Sequence, residues 1–447
     1  MNDQSTYFSQ EKPTKVFLHC ALPAMFSMVF SAIYVIADGI FVGQFVGENA
    51  LAAVNLAMPL VNISFAIADM IAVGSAVEIA MLLGQKEHKQ ANIMFSVCVK
   101  TTFAVSVVIG LLFLLFTKPI FMLMGTSGQA LEYAYQYMLI YAFFSPLTMI
   151  YYAADNYLRI CNRQKYSMIL NISTALLNIV LDFLLIVVFD GGVLGAAFAS
   201  CISMAIGSFF SLLPFVRRKL ELRFTRGKIG AKQFLSLLAN GSSEFFSNIS
   251  GSIMAFILNL VLMNLGGTRA VAAMSIVLYV DSLMGTMVFG MCDSMQPPIS
   301  YCHAAGLKKR VASFEKRVLG FAAPLSLIAF VLLRYHNDQI IPLFANSQDL
   351  DLIQLGEQAM SIFAFSYLAN WISRCLSSYL TALGKAVQSF ITSICGTLIF
   401  PLVGLALLAP TFGFNGVCFM PVLAAIFSAV LAIVLAISAT RKTYPAQ

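Results

Sequence analysis

Long apolar runs follow one another along almost the whole chain, separated by short polar connections. The pattern predicts twelve helices, at 14–45, 50–84, 94–117, 131–159, 164–189, 193–216, 233–265, 270–302, 314–334, 353–383, 386–409 and 411–440. A helix that crosses a bilayer needs roughly 20 mostly apolar residues. Strands of a lipid-facing barrel would alternate apolar and polar positions over about ten residues. These runs are longer than that and evenly apolar, so the expected fold is all-α and integral to a membrane.

The pattern repeats. Tyr157-Leu158 recurs as Tyr379-Leu380 at an offset of 222, and Gly192 and Gly195 recur as Gly413 and Gly416 at 221. Asn49-Ala-Leu-Ala-Ala-Val54 matches Arg269-Ala-Val-Ala-Ala-Met274 at 220, and Gly84 answers Gly306 at 222. Six helices per copy is an even number, so both copies face the same way, as a parallel repeat about an axis along the membrane normal. The expected division is a first six-helix lobe at 1–216, a basic linker at 217–232 and a second six-helix lobe at 233–447. Such a design places a pathway between two bundles that can rock against each other.

The acids do not repeat. Asn178 and Asp182 correspond to Phe400 and Gly404 at 222, and to Ile399 and Val403 at 221. Polar groups in hydrocarbon are costly and usually serve transport, so a carboxylate kept in one copy is a functional candidate. Asn178 and Asp182 lie four residues apart, on one helix face and about 6 Å apart along the axis. A carboxylate with an amide oxygen suits Na⁺, and a desolvated carboxylate also suits a proton; the alternative is a structural clamp between helices. Asp38 is the only acid between Thr14 and Phe45. It is expected to be buried between helices or to face external water at a helix end. Asp155 and Arg159, four apart, are expected to form an intrahelical ion pair, with a proton-relay or substrate-contact role as the alternative. Asp69, Glu78, Asp281 and Asp293 fall on the second and eighth spans, which are equivalent in the two copies. They are expected to line the cleft as anionic walls, or to be paired with Arg374 or solvated at helix ends.

Composition and charge agree with the membrane reading. Sixty per cent of residues are hydrophobic, and mean hydropathy is +0.85. Only 11% are charged, against about 25% in soluble domains. Lys and Arg concentrate on one side of the predicted spans: 23 of 27 fall on the side of the termini. This predicts a multi-pass protein of a bacterial-type inner membrane with both termini cytoplasmic. The net charge of +7 is then a topology signal, and no nucleic-acid partner is expected. No cleavable signal peptide is expected, since the first fifteen residues are mostly polar and include Lys12 and Lys15. The nine cysteines show no metal or disulfide framework. A Walker A lysine motif is absent, so ATP is not the expected direct energy source. Neither an enzymatic activity, a cofactor nor an obligate protein partner is expected.

Ala37-Asp-Gly-Ile-Phe-Val-Gly43 followed by Leu51-Ala-Ala53, then Asn178-x-x-x-Asp182 and Gly191-Gly-Val-Leu-Gly-Ala-Ala197, resemble the first, fifth and sixth spans of the multidrug and toxic compound extrusion (MATE) transporters. The resemblance covers nearly the whole chain. It implies two six-helix bundles around a central V-shaped cleft and cation-coupled export of small cationic or amphipathic compounds. It joins Asp38 to Asn178 and Asp182 in one coupling site for H⁺ or Na⁺. Ser200 takes a position where the family often has threonine, and Glu244 stands on a helix where the family allows a functional acid. Proline within a helix frees a carbonyl and permits a kink; the resemblance implies that the first helix bends at Pro23 when the acid is protonated, and the alternative is a static kink. Lipid-linked oligosaccharide flippases share the architecture and are the alternative. They would need a cleft rich in Arg and Lys, whereas Arg374 is the only basic residue expected well inside a span.

Overall fold

The computed structural model describes residues 6–124, 126–344 and 349–443. Among these, nine helices are long and apolar enough to cross a membrane. The first six are α1 (Pro13–Val46), α2 (Asn49–Gly84), α3 (His88–Leu123), α4 (Gly128–Ile160), α5 (Gln164–Val188) and α6 (Gly192–Val216). The next runs from Ala231 to Ala304, 74 residues. A straight helix of that length would extend about 110 Å, several times the roughly 30 Å hydrocarbon core. It turns back at Gly267, where φ is 62° and ψ is −154°, a conformation open to glycine and closed to side chains with a Cβ. It therefore holds two segments, α7 (231–266) and α8 (268–304). Lys308–Tyr335 is α9. The final Ala386–Arg441 stretch reverses in the same way at Gly413, φ 56°, giving α11 (386–412) and α12 (414–443). Gly404 then faces Met420, and Gly396 faces Ser428.

The remaining segment, α10 (350–382), departs from the single span expected at 353–383. A 3₁₀ turn at Ala364–Leu368 interrupts it between Leu350–Phe363 and Asn370–Ala382. α1 continues through Pro23. Between α6 and α7 the chain is non-helical and lies on α3, where Ser96 Oγ accepts from the Thr225 amide at 2.8 Å.

The segments form two lobes, α1–α6 and α7–α12. Three large clusters of buried side chains show how they meet. One joins the lobes at the end that carries the termini: Val16, Ile79, Leu83 and Tyr157 pack with Leu237, Met295, Tyr301 and Phe314. At the opposite end each lobe has its own core. Val42, Val54, Tyr141 and Val193 fill the first; Leu258, Met274, Met360 and Val417 fill the second. The lobes are thus sealed at one end and separately cored at the other, the V that the resemblance implied.

Glycines make the seal close, as small residues do between membrane helices. A Cβ on Gly241 of α7 would lie 1.9 Å from the Met70 carbonyl oxygen of α2, and one on Gly74 would lie 2.2 Å from the Leu237 oxygen. Both contacts are to backbone, which cannot step aside without moving a helix. Gly241→Val is therefore expected to pry this end open, at an overpacking cost of about 1–3 kcal/mol. Peptide mapping after maleimide treatment should show several-fold faster labelling of Cys302. That thiol is buried and points at the Phe8 carbonyl, 3.5 Å away. Unchanged labelling would mean that the seal does not depend on this contact.

Candidate functional site

The first lobe encloses the polar group expected from the sequence. α1 supplies Asp38, α5 supplies Asn178 and Asp182 one turn apart, and α6 supplies Ser200. Asp182 is 0% exposed, Asn178 1% and Asp38 7%; Ser200 is half-buried. Asn178 Nδ2 donates to Ser200 Oγ at 3.1 Å, which turns the amide oxygen the other way. Asp38 is close enough for its charge to act on Asp182. Both carboxyl oxygens of Asp182, Oδ1 of Asp38 and Oδ1 of Asn178 are buried without a hydrogen-bond partner. Buried polar groups are normally paired, and ionised carboxylate and amide oxygens can only accept. Four orphaned acceptors are what a proton or a hard monovalent cation would satisfy. The all-oxygen donor set fits Na⁺ as well as H⁺, with Asp38, Asn178 and Asp182 as the groups that would hold it.

Local backbone structure helps to place the acids. α1 passes from α to π winding at Val42–Val46, four residues after Asp38. α5 does the same at Phe183–Val188, immediately after Asp182. Such single π turns within helices are frequent at functional sites. Two tyrosines join the site that sequence reasoning passed over. Tyr34 lies one turn before Asp38 and within electrostatic reach of both acids, and its side chain bonds to Tyr152. Tyr137 of α4 also lies within reach of Asp38. The four-residue spacing of Tyr34 and Asp38 was the available signal.

A second polar group lies where the lobes meet. Asp155 and Arg159 form the expected intrahelical pair, with N–O 2.6 Å. Arg159 also reaches across to Asp293 of α8 at 3.7 Å. Asp155 accepts from Asn171 at 3.2 Å and from Ser167, and Gln296 donates to Asp293 at 3.0 Å. Asp69 of α2 stands within electrostatic reach of Asp293, Glu244, Arg159 and Asp155. Glu244 and Asp293 share a small pocket of about 70 Å³ with Arg374, Phe289, Ser378 and Thr397. The Arg374 guanidinium sits 5.1 Å over the Phe289 ring.

The anionic walls expected from the sequence are therefore of mixed charge. Arg159, in the last turn of α4, is 4% exposed, so a second buried basic residue stands with these acids besides Arg374. Four of the named acids, Asp69, Asp155, Glu244 and Asp293, come together. Asp281 accepts from the Tyr367 hydroxyl at 2.7 Å and lies within electrostatic reach of Arg374. Glu78, half-buried on α2, joins neither group. Glu315 of α9 was not singled out in the sequence, yet it is buried with Oε1 unpartnered. Its place in a run with Lys308, Lys309, Arg310, Lys316 and Arg317 gives it the look of a surface residue.

The chain belongs to the MatE family, whose model matches it at residues 23–184 and 245–406. The two matches begin 222 residues apart, the offset of the Tyr-Leu pair. It is 25% identical over 444 residues to a protein of Staphylococcus haemolyticus named multidrug export protein MepA, covering 99% of this chain and 97% of that one. Among solved structures, it is similar to MATE in complex with MaD3S, with a TM-score of 0.93, 22% identity and 99% of each chain covered. It is also similar to an outward-facing multidrug resistance MATE family transporter of the MOP superfamily, with a TM-score of 0.91, 22% identity and 99% of each chain covered. The protein is a multi-pass membrane protein of the MATE fold.

Proposed function

We propose that this protein exports small cationic or amphipathic organic compounds across a bacterial inner membrane in exchange for H⁺ or Na⁺, with both termini in the cytoplasm and all twelve segments crossing. The observation that carries this reading is the group of four orphaned oxygens of Asp38, Asn178 and Asp182, buried in one lobe of a carrier sealed at one end. With the termini inside, the sealed end is cytoplasmic and the structure is open outward. A monovalent cation entering from outside cancels one of the two negative charges and relieves the repulsion between Asp38 and Asp182. Coupling follows if the cation-bound site favours the state that releases the exported compound and the cation-free site the state that binds it, since a ligand shifts an equilibrium only by its differential affinity. The mixed-charge pocket of Glu244, Asp293, Arg374 and Phe289 is the proposed contact region for that compound. A flippase for pyrophosphate-linked lipids fits less well. Arg159 and Arg374 stand against Asp69, Asp155, Glu244 and Asp293, which leaves that region acidic overall.

Expression in an efflux-deficient bacterium tests the reading. Cells carrying the chain should accumulate less ethidium than control cells, and collapsing the ion gradients should abolish the difference. Equal accumulation before collapse would count against export. Ser200→Ala refines the site. It removes the Asn178 partner at a cost of about 1 kcal/mol, so the coupling-ion concentration for half-maximal transport should rise roughly fivefold. Ser200→Thr, which keeps the hydroxyl, should restore it. An unchanged half-maximal concentration in Ser200→Ala would take the hydroxyl out of the site.

A further inference from the structure

The start of α1 and the first turns of α9 enclose a groove of about 640 Å³. Its end nearest the termini is polar, lined by Thr14, Ser313, Lys316 and Arg317; its deeper part is lined by Phe17, Leu18, Gly320 and Phe321. The Phe17 and Phe321 rings meet edge to face with centroids 5.7 Å apart. A Cβ on Gly320 would meet nothing within 4 Å, so the glycine leaves a slot beside them. The groove straddles the seam between the lobes, and Arg317 Nε donates to Thr14 Oγ1 across it at 3.0 Å. Lys316 is exposed and has no ion pair or hydrogen bond among the described residues. No acid lines the groove. Glu11 is paired with Lys15 at 3.1 Å, and buried Glu315 lies within electrostatic reach of Cys375 and Tyr379 of α10.

We propose that this groove is a binding site for an anionic phospholipid of the leaflet on the termini side, with its phosphate at Lys316 and Arg317 and one acyl chain along Phe17, Leu18, Gly320 and Phe321. Two cations at the headgroup level above an apolar slot match such a lipid in both charge and depth, as basic pockets between membrane helices do. Arg317 donates to Thr14 and Ser313 but meets no acid in the groove, so a neutral lipid would leave both positive charges without an opposite charge, and a soluble anion would leave the apolar slot unfilled. Because α1 belongs to one lobe and α9 to the other, the bound lipid touches both.

Native mass spectrometry of the full chain in detergent, titrated with dioleoylphosphatidylglycerol or dioleoylphosphatidylcholine, tests this. The first phosphatidylglycerol should bind about tenfold more tightly than the first phosphatidylcholine. Lys316→Gln with Arg317→Gln should bring the two lipids close to parity. Gly320→Leu, which fills the slot and keeps both cations, should weaken phosphatidylglycerol binding severalfold. Inorganic phosphate should not displace the lipid. Equal binding of the two lipids by the native chain, a preference kept in the double variant, full binding by Gly320→Leu, or displacement by phosphate would each overturn the proposal.

Discussion

Asp182→Asn is expected to lose gradient-driven accumulation while keeping the fold. One returning charge supplies about 2.3 kcal/mol at 100 mV, and a tenfold ratio corresponds to about 1.4 kcal/mol. Losing that charge should therefore lower the attainable concentration ratio roughly 50-fold. The fold should survive because neither Asp182 oxygen has a protein partner to lose. Ethidium transport in proteoliposomes under an imposed gradient reads the effect, with the unfolding temperature as the check on folding. A folded Asp182→Asn that still concentrates ethidium would remove this residue from the coupling site.

Arg159→Met is expected to act on stability instead. The guanidinium holds Asp155 at 2.6 Å and Asp293 at 3.7 Å, and removing one partner of a buried ion pair leaves an uncompensated charge that costs about 3–5 kcal/mol. Detergent-solubilised Arg159→Met should unfold well below the native temperature. Adding Asp155→Asn and Asp293→Asn should recover much of the loss, because both orphaned charges are then gone. If the single variant is as stable as the native chain, the bridge contributes little to holding the lobes together.

The apolar runs made the helices legible, and short-range polar spacing revealed part of the site. The expected 164–189 and 193–216 match Gln164–Val188 and Gly192–Val216 closely, since hydrocarbon length alone sets them. The third helix was expected at 94–117 and runs from His88 to Leu123; its polar first turns precede the apolar run that marked it, and it continues through Lys118 and Pro119, which read as its end. The interruption of α10 at Ala364–Leu368 has no glycine or proline to announce it. Asn178 and Asp182 were visible because four-residue spacing puts them on one face. The Asn178–Ser200 bond needed the hairpin of α5 and α6, which the resemblance supplied. Arg159 was legible only as the partner of Asp155. Its reach to Asp293 spans 134 positions and two lobes, and no local pattern encodes that. Tyr34 was hidden because tyrosine in an apolar run reads as packing until a carboxylate is known to lie beside it.

If compound and cation exchange through one carrier, the exchange can be driven backwards. Proteoliposomes would be loaded with ethidium and diluted so that it flows out, with no initial gradient of H⁺ or Na⁺, while internal pH and Na⁺ are recorded. One of the two ions should move inward against its own developing gradient, in step with ethidium efflux, and Asp182→Asn should abolish this movement. Ethidium efflux through the native protein with no accompanying movement of either ion would contradict exchange.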